Sequence, residues 1–157
     1  MSTVKIIKAP AGGRIMTRGE LEEFLAGKLL LRIATVNPRG DAEIVPVWYQ
    51  YTNGKLYLMT GHDSRKVQNI KHKKRVYFSI DTEMVPYKGA KGRGTATIMT
   101  DRNRAAGIAE EISVRYLGTA EHPMAKRFKN AVSEGRDVVV EIVPEYFSVW
   151  DYSNVKM

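Results

Sequence analysis

AEIVPVWYQYTNGKLYLMTGHDSRKVQNI, residues 42–70, carries most of what the sequence says about the fold. Its first ten residues are rich in β-branched and aromatic side chains and read as a strand. Asn53-Gly54 follows, a pair favoured in a type I′ hairpin turn because both central positions need positive φ. KLYLMT, residues 55–60, is then the returning strand, and Ser64 can cap a short helix that turns Val67 and Ile70 inward. Pro46 lacks the N–H that a central strand donates, which assigns its strand to a sheet edge or a bulge.

Working outward, LLLRIATV (29–36) and the turn Asn37-Pro38-Arg39-Gly40 supply the strand before this segment. Thr17 and Glu20 have capping-box spacing, and Leu21, Phe24 and Leu25 mark the apolar face of a helix over about 17–27. RVYFSIDTE (75–83) and GTATIMT (94–100) read as further strands. Ala105, Ile108, Ala109, Ile112 and Tyr116 recur at helical spacing over 102–116, and Pro123 opens another helix with Met124, Phe128 and Val132 on its core face. DVVVEIVPEYFSVW (137–150) is one strand, or two broken near Pro144. The sum is six or seven strands and three or four helices. Short connections favour an antiparallel barrel over a doubly wound parallel sheet.

The 157 residues suit one domain, 1–157, with 43% hydrophobic and 27% charged residues placing it among globular chains. Having no cysteine, it has no disulfide, thiolate nucleophile or Cys-ligated metal site. Lys5 and Lys8 interrupt the N-terminal apolar residues, and no apolar run approaches the roughly 20 residues of a membrane span. A soluble, cytoplasmic protein with no membrane partner is the expectation. Of the net charge of +8, most lies in residues 61–93, where nine Lys or Arg face three Asp or Glu, so an anionic partner is expected there.

Within that third, Thr60-Gly-His-Asp-Ser-Arg-Lys follows a strand and opens a helix. Free N–H groups at a helix start favour an anion, and Thr60, Ser64, Arg65 and Lys66 could add hydroxyl and charged donors to a phosphate. An N-capped surface helix with solvated basic residues fits the same spacing. Along the Pro46 strand, a planar heterocycle could pair with free backbone groups while packing on Val45, Val47 or Trp48. GAKGRG (89–94) has the wrong spacing for a dinucleotide loop and precedes a strand. Its glycines read as a turn or bulge, with Lys88, Lys91 and Arg93 solvated or turned to an anion. His62, His72 and His122 show no metal-ligand spacing. Lys71 to Arg75 could meet nucleic-acid phosphates, but no stacking platform accompanies them, and a solvated helix end is the simpler reading.

Four stretches in order, RIATVNPRGDAEIVPVWYQY, LYLMTGHDSRKVQNI, KGRGTATI and VVVEIVPEYFSVWDY, resemble the pyridoxamine 5′-phosphate oxidase-related, FMN-binding split-barrel proteins. The resemblance implies a mainly β (α+β) domain, an antiparallel six-stranded Greek-key split barrel with flanking helices. It implies that Thr60, Ser64, Arg65 and Lys66 hold a flavin phosphate, with Gln68 or Asn69 near that end. Val45, Pro46, Val47 and Trp48 would run along the isoalloxazine ring. It further implies a homodimer with the cofactor at the subunit interface, completed by Lys91, Arg93 and Trp150 of the second copy. The vitamin-converting oxidases of this group carry Arg-x-His beyond the tryptophan matching Trp150, whereas DYSNVKM follows it here. A genuine pyridoxamine phosphate oxidase is therefore not expected. The expectation is an FMN-dependent oxidoreductase acting on a small molecule, with a deazaflavin as the alternative cofactor and no catalytic residue assigned. A nonenzymatic module binding nucleic acid through 61–93 is the remaining alternative.

Overall fold

Thr17 closes the capping box its spacing predicts. Its hydroxyl accepts the Glu20 N–H at 3.2 Å, and the Glu20 carboxylate accepts the Thr17 N–H at 2.8 Å. Helix α1 (Arg18–Leu25) starts there, buries Leu21 and Leu25, and is shorter than the expected 17–27. The computed structural model describes residues 4–10 and 12–155. The other elements are β1 (Lys5–Lys8), β2 (Leu31–Val36), β3 (Ala42–Val47), β4 (Gln50–Thr52), β5 (Lys55–Gly61), α2 (Arg65–His72), β6 (Arg75–Asp81), β7 (Lys88–Ile98), α3 (Arg102–Leu117), α4 (Pro123–Ser133) and β8 (Asp137–Asp151). Among the described residues, no helix is long and apolar enough to cross a membrane.

Among the described residues, seven strands form one curled antiparallel path in the order β3-β2-β6-β7-β8-β5-β4, and β1 adds in parallel beside β8. The sheet is the expected mainly β split barrel with helices around it, but the path has seven strands where six were expected. The extra strand arises at Trp48-Tyr49, where the single run 42–51 breaks into β3 and β4. There the Tyr49 ring drops into the core, fully buried, and its hydroxyl donates to the Leu25 carbonyl at 2.7 Å. The Asn53-Gly54 hairpin forms as predicted, with φ of 52° and 76°. Pro46 lies on β3, the last strand of the path, the edge position that its missing N–H favours.

Strand alternation sends Leu56, Leu58, Val140 and Ile142 into the main core with Leu31, Ile33, Phe78 and Phe147. Tyr57 and Val139 point the opposite way, to a second cluster under α3 and α4 with Ala109, Ile112 and Val132. Met124, expected in that cluster, is instead 44% exposed, and Ala125 takes the buried position one residue on. The glycines of 89–94 lie inside β7 rather than in a turn, and only the bulge part of that expectation holds, at Arg93/Gly94. They are glycines because neighbours leave no room: a Cβ at Gly89 would collide with the Trp150 indole, and one at Gly92 with the Tyr146 carbonyl. β8 runs unbroken through Pro144, and pairing skips Glu145 opposite that bulge.

Candidate functional site

The turn between β5 and α2 is held from both sides. Gly61 pairs with Asp137 of β8, the His62 N–H donates to the Arg136 carbonyl at 3.0 Å, and the Ser64 N–H donates to the Gly61 carbonyl at 3.1 Å. Ser64 caps α2, its hydroxyl accepting the Val67 N–H. Inside this turn the Lys66 ammonium donates to the Thr60 hydroxyl at 2.7 Å, and Thr60 donates to Ser64 at 3.1 Å. Lys66 is half-buried, and burial holds its pKa below the ordinary lysine value. Among the described residues no carboxylate forms an ion pair with it. One of its three N–H bonds is used, so the remaining ammonium protons are available to an anion.

Arg65, Gln68 and Asn69 lie on the other side of α2, lining with Asn37, Pro38 and Glu43 a cavity of about 600 Å³. Glu43 organises this half. Its carboxylate accepts from Arg65 at 3.2 Å, from Asn69 at 2.9 Å and from Asn37 at 3.4 Å. The Asn69 hydrogen bond first, and then the Arg65 and Asn37 bonds, hold the Glu43 pKa below the usual glutamate value. Glu43 and Thr35 are direct partners across β2 and β3, which puts them on one face, and buried Asn69 bridges them by donating to both. Glu43, Thr35 and Asn37 were not singled out in the sequence. The usable signal was alternation: Glu43, Val45 and Val47 are half-buried while Ala42, Ile44 and Pro46 are exposed.

The structure therefore brings Thr60, Ser64 and Lys66 together, and Arg65, Gln68 and Asn69 beside them across the start of one helix. Arg65 is turned to Glu43, but its side chain is 77% exposed and free to swing. On the neighbouring strand, Val45 and Val47 pack against the core, and the Trp48 ring stacks on Tyr116 with its edge partner Phe128. Among the described residues, Lys91, Arg93 and Trp150 form no hydrogen bond or ion pair with the turn. Arg93 pairs with Glu145 at 2.7 Å, and Trp150 lies over Gly89. Lys91 lines a separate apolar cavity of about 590 Å³ with Ile7, Ile44, Tyr77 and Tyr146.

A profile of the pyridoxamine 5′-phosphate oxidase family matches residues 17–151, which include every element from α1 to β8. The chain belongs to that family. No curated protein matches it. Among solved structures it is similar to Rv2991 of Mycobacterium tuberculosis, described as a conserved hypothetical protein, with a TM-score of 0.80, 21% identity and 93% of each chain covered. It is similar to an F420 reductase at TM-score 0.66 and 24% identity, over 81% of this chain and 94% of the other. A FAD-binding protein from Mesorhizobium loti gives TM-score 0.61 and 18% identity, over 85% and 94%. At such identities these likenesses carry the fold. In this member of the pyridoxamine 5′-phosphate oxidase family, the donor set of the turn fits a phosphate: two hydroxyls, a half-buried ammonium without a carboxylate partner, and the N-terminus of α2.

Proposed function

We propose that the chain is an oxidoreductase of a homodimeric kind that binds a flavin-type cofactor by its phosphate in the turn from Thr60 to Lys66 and acts on a small molecule. The observation that carries this reading is Lys66. A cation drawn partly out of water and given only hydroxyl partners keeps its affinity for an anion. FMN is the first reading of the ligand. When bound, the ring supplies hydride or electron transfer; the chain supplies binding, orientation and electrostatics.

In this reading Lys66 donates charge-assisted hydrogen bonds to the phosphate, Ser64 and Thr60 orient the ammonium, and Arg65 swings from Glu43 to share the anion. The edge strand Val45-Pro46-Val47 runs beside the ring. A second copy docks on the apolar outer face that includes Ile44, 70% exposed, and Tyr77, 43% exposed, bringing Lys91, Arg93 and Trp150 of one protomer toward the site of the other. A deazaflavin is the second reading. It is favoured by the exposed Lys71, Lys73 and Lys74 at the far end of α2, which suit an anionic extension, and by the similarity to an F420 reductase.

The test is an absorption spectrum of the purified protein followed by fluorescence titration with FMN, riboflavin and a phosphorylated 5-deazaflavin. The expected result is saturable binding of a phosphorylated ring at least ten-fold tighter than of riboflavin. Absence of binding by every phosphorylated ring sinks the proposal.

A further inference from the structure

Resting on the cofactor reading above, the outer face of the sheet specifies a class of small molecule. Strand register places Arg32 opposite Ser79, Ser79 opposite Lys91, Lys91 opposite Ser148 and Ser148 opposite Ile7, one row across β2, β6, β7, β8 and β1. Ladder partners share a face, so these side chains stand side by side. The next row on that face runs Ile44, Ala34, Tyr77, Arg93, Tyr146. Residues of both rows line the cavity of about 590 Å³, a size that suits a small-molecule site. Ser148 is only 4% exposed, lines this cavity, and its hydroxyl forms no hydrogen bond among the described residues. Leaving a buried hydroxyl unpaired is costly, so its partner is expected from the cavity. Lys91, directly beside it, has neither hydrogen bond nor ion pair among the described residues, and no acidic side chain lines the cavity. Arg32, the other cation there, is already taken by Asp81 at 3.0 Å and Glu83 at 3.2 Å.

From this arrangement we infer that the cavity binds a ring-bearing monocarboxylate, and that this is the class of molecule on which the protein acts. The carboxylate, ionised at neutral pH, accepts from the Lys91 ammonium and from the hydroxyls of Ser79 and Ser148 on either side of it. The apolar ring lies toward Ile44, Ala34 and Tyr77 in the adjacent row. Lys91 supplies one charge and Arg32 is already paired, so one carboxylate is matched and a second anionic group finds no partner. The second copy of the proposed homodimer seats on this same face. It closes the cavity against water and brings the bound acid to the cofactor of the other protomer, where a molecule to be oxidised or reduced must lie.

The experiment titrates the full chain, cofactor-free and saturated with FMN, against 2-naphthoate and its neutral isostere 2-naphthamide near neutral pH, by calorimetry. It is repeated on Lys91→Gln, Lys91→Arg and Ser148→Ala; Lys91 is exposed, so its variants are expected to fold. The wild type is expected to bind the acid about ten-fold more tightly than the amide, with or without FMN. Lys91→Gln should bring the two affinities to within about two-fold, Lys91→Arg should keep the preference, and Ser148→Ala should weaken the acid alone by about three-fold. Equal affinity for the two probes in the wild type, or a preference that survives Lys91→Gln, overturns the inference. So does absence of naphthoate binding, which gives the cavity to side chains of the second copy, and so does competition with FMN, which gives it to the flavin ring. When FMN binds and the acid fails, only the acid site falls. Failure of every phosphorylated ring to bind removes the cofactor reading and the substrate role with it.

Discussion

Trp48 and Tyr116 stack face to face, their ring centroids 4.8 Å apart and their planes within 3°. The contact ties the corner where β3 passes into β4 to the last turn of α3. Tyr116 adds two hydrogen bonds there, accepting the Tyr49 N–H and donating to the Leu29 carbonyl. The edge strand that runs past the candidate site is thus anchored by a helix far along the chain. Trp48→Ala is expected to cost about 2 to 3 kcal/mol in urea unfolding. Combined with Tyr116→Leu, the pair should show about 1 kcal/mol of coupling. Strict additivity would mean the stack contributes only buried area.

Gly89 and Gly107 should respond to alanine in opposite directions. At Gly89 a methyl group meets the Trp150 ring inside a paired strand, so Gly89→Ala is expected to lower stability by about 2 kcal/mol. Gly107 is exposed inside α3 with nothing near its absent side chain, so Gly107→Ala is expected to gain about 0.5 to 1 kcal/mol from helix propensity. Thermal melts of the two variants decide this, and a destabilised Gly107→Ala contradicts it.

Lys66→Gln should weaken FMN binding at least ten-fold and leave riboflavin, which has no phosphate, unaffected. Burial also sets a pH signature. Because the Lys66 pKa is lowered, phosphate affinity in the wild type should decline on the alkaline side before an ordinary lysine, titrating near 10.4, loses its proton. Fluorescence titrations between pH 7 and 11 test both points. Equal loss of riboflavin binding would reduce Lys66 to a structural residue.

Glu43 should also leave a mark on acid stability. Its folded pKa is lowered from 4.5 by Asn69 and then Arg65, so the folded state prefers the ionised form. That preference contributes stability above the unfolded value near 4.5 and is lost as pH falls through the lower folded value. The stability difference between wild type and Glu43→Gln is therefore expected to close between pH 5 and pH 3 in urea titrations. A difference that stays constant across that range would assign the effect to packing.

Ile44→Glu places a charge in the middle of the apolar outer face. With Ile44 already 70% exposed, the folded chain should tolerate it, and if two copies pair through this face as proposed, sedimentation should show the wild-type dimer becoming a monomer. An unchanged dimer would move the interface elsewhere.

Local chemistry was readable without coordinates. The capping box at Thr17, the Asn53-Gly54 turn, the Ser64 cap and the edge position of Pro46 each depend on a few neighbouring residues, and each forms as the sequence predicts. The break at Tyr49 was not readable, because a strand of β-branched and aromatic residues bends there only to reach a carbonyl on α1. Nor was the need for glycine at 89 and 92, which comes from β8, more than fifty residues away.

The site divides the same way. Thr60, Ser64 and Lys66 are close in sequence, and one strand end and one helix start suffice to gather them, so the chain itself determined that half. Glu43 lies 22 positions from Arg65. Its charge meets that arginine only because β3 pairs with β2 in a register that puts Glu43 opposite Thr35 and under Asn69. Register is a property of the assembled sheet, fixed by which side chains the core accepts, and a one-residue slip would have turned Glu43 to the other face. Tertiary structure alone therefore decided how much positive charge the cradle offers.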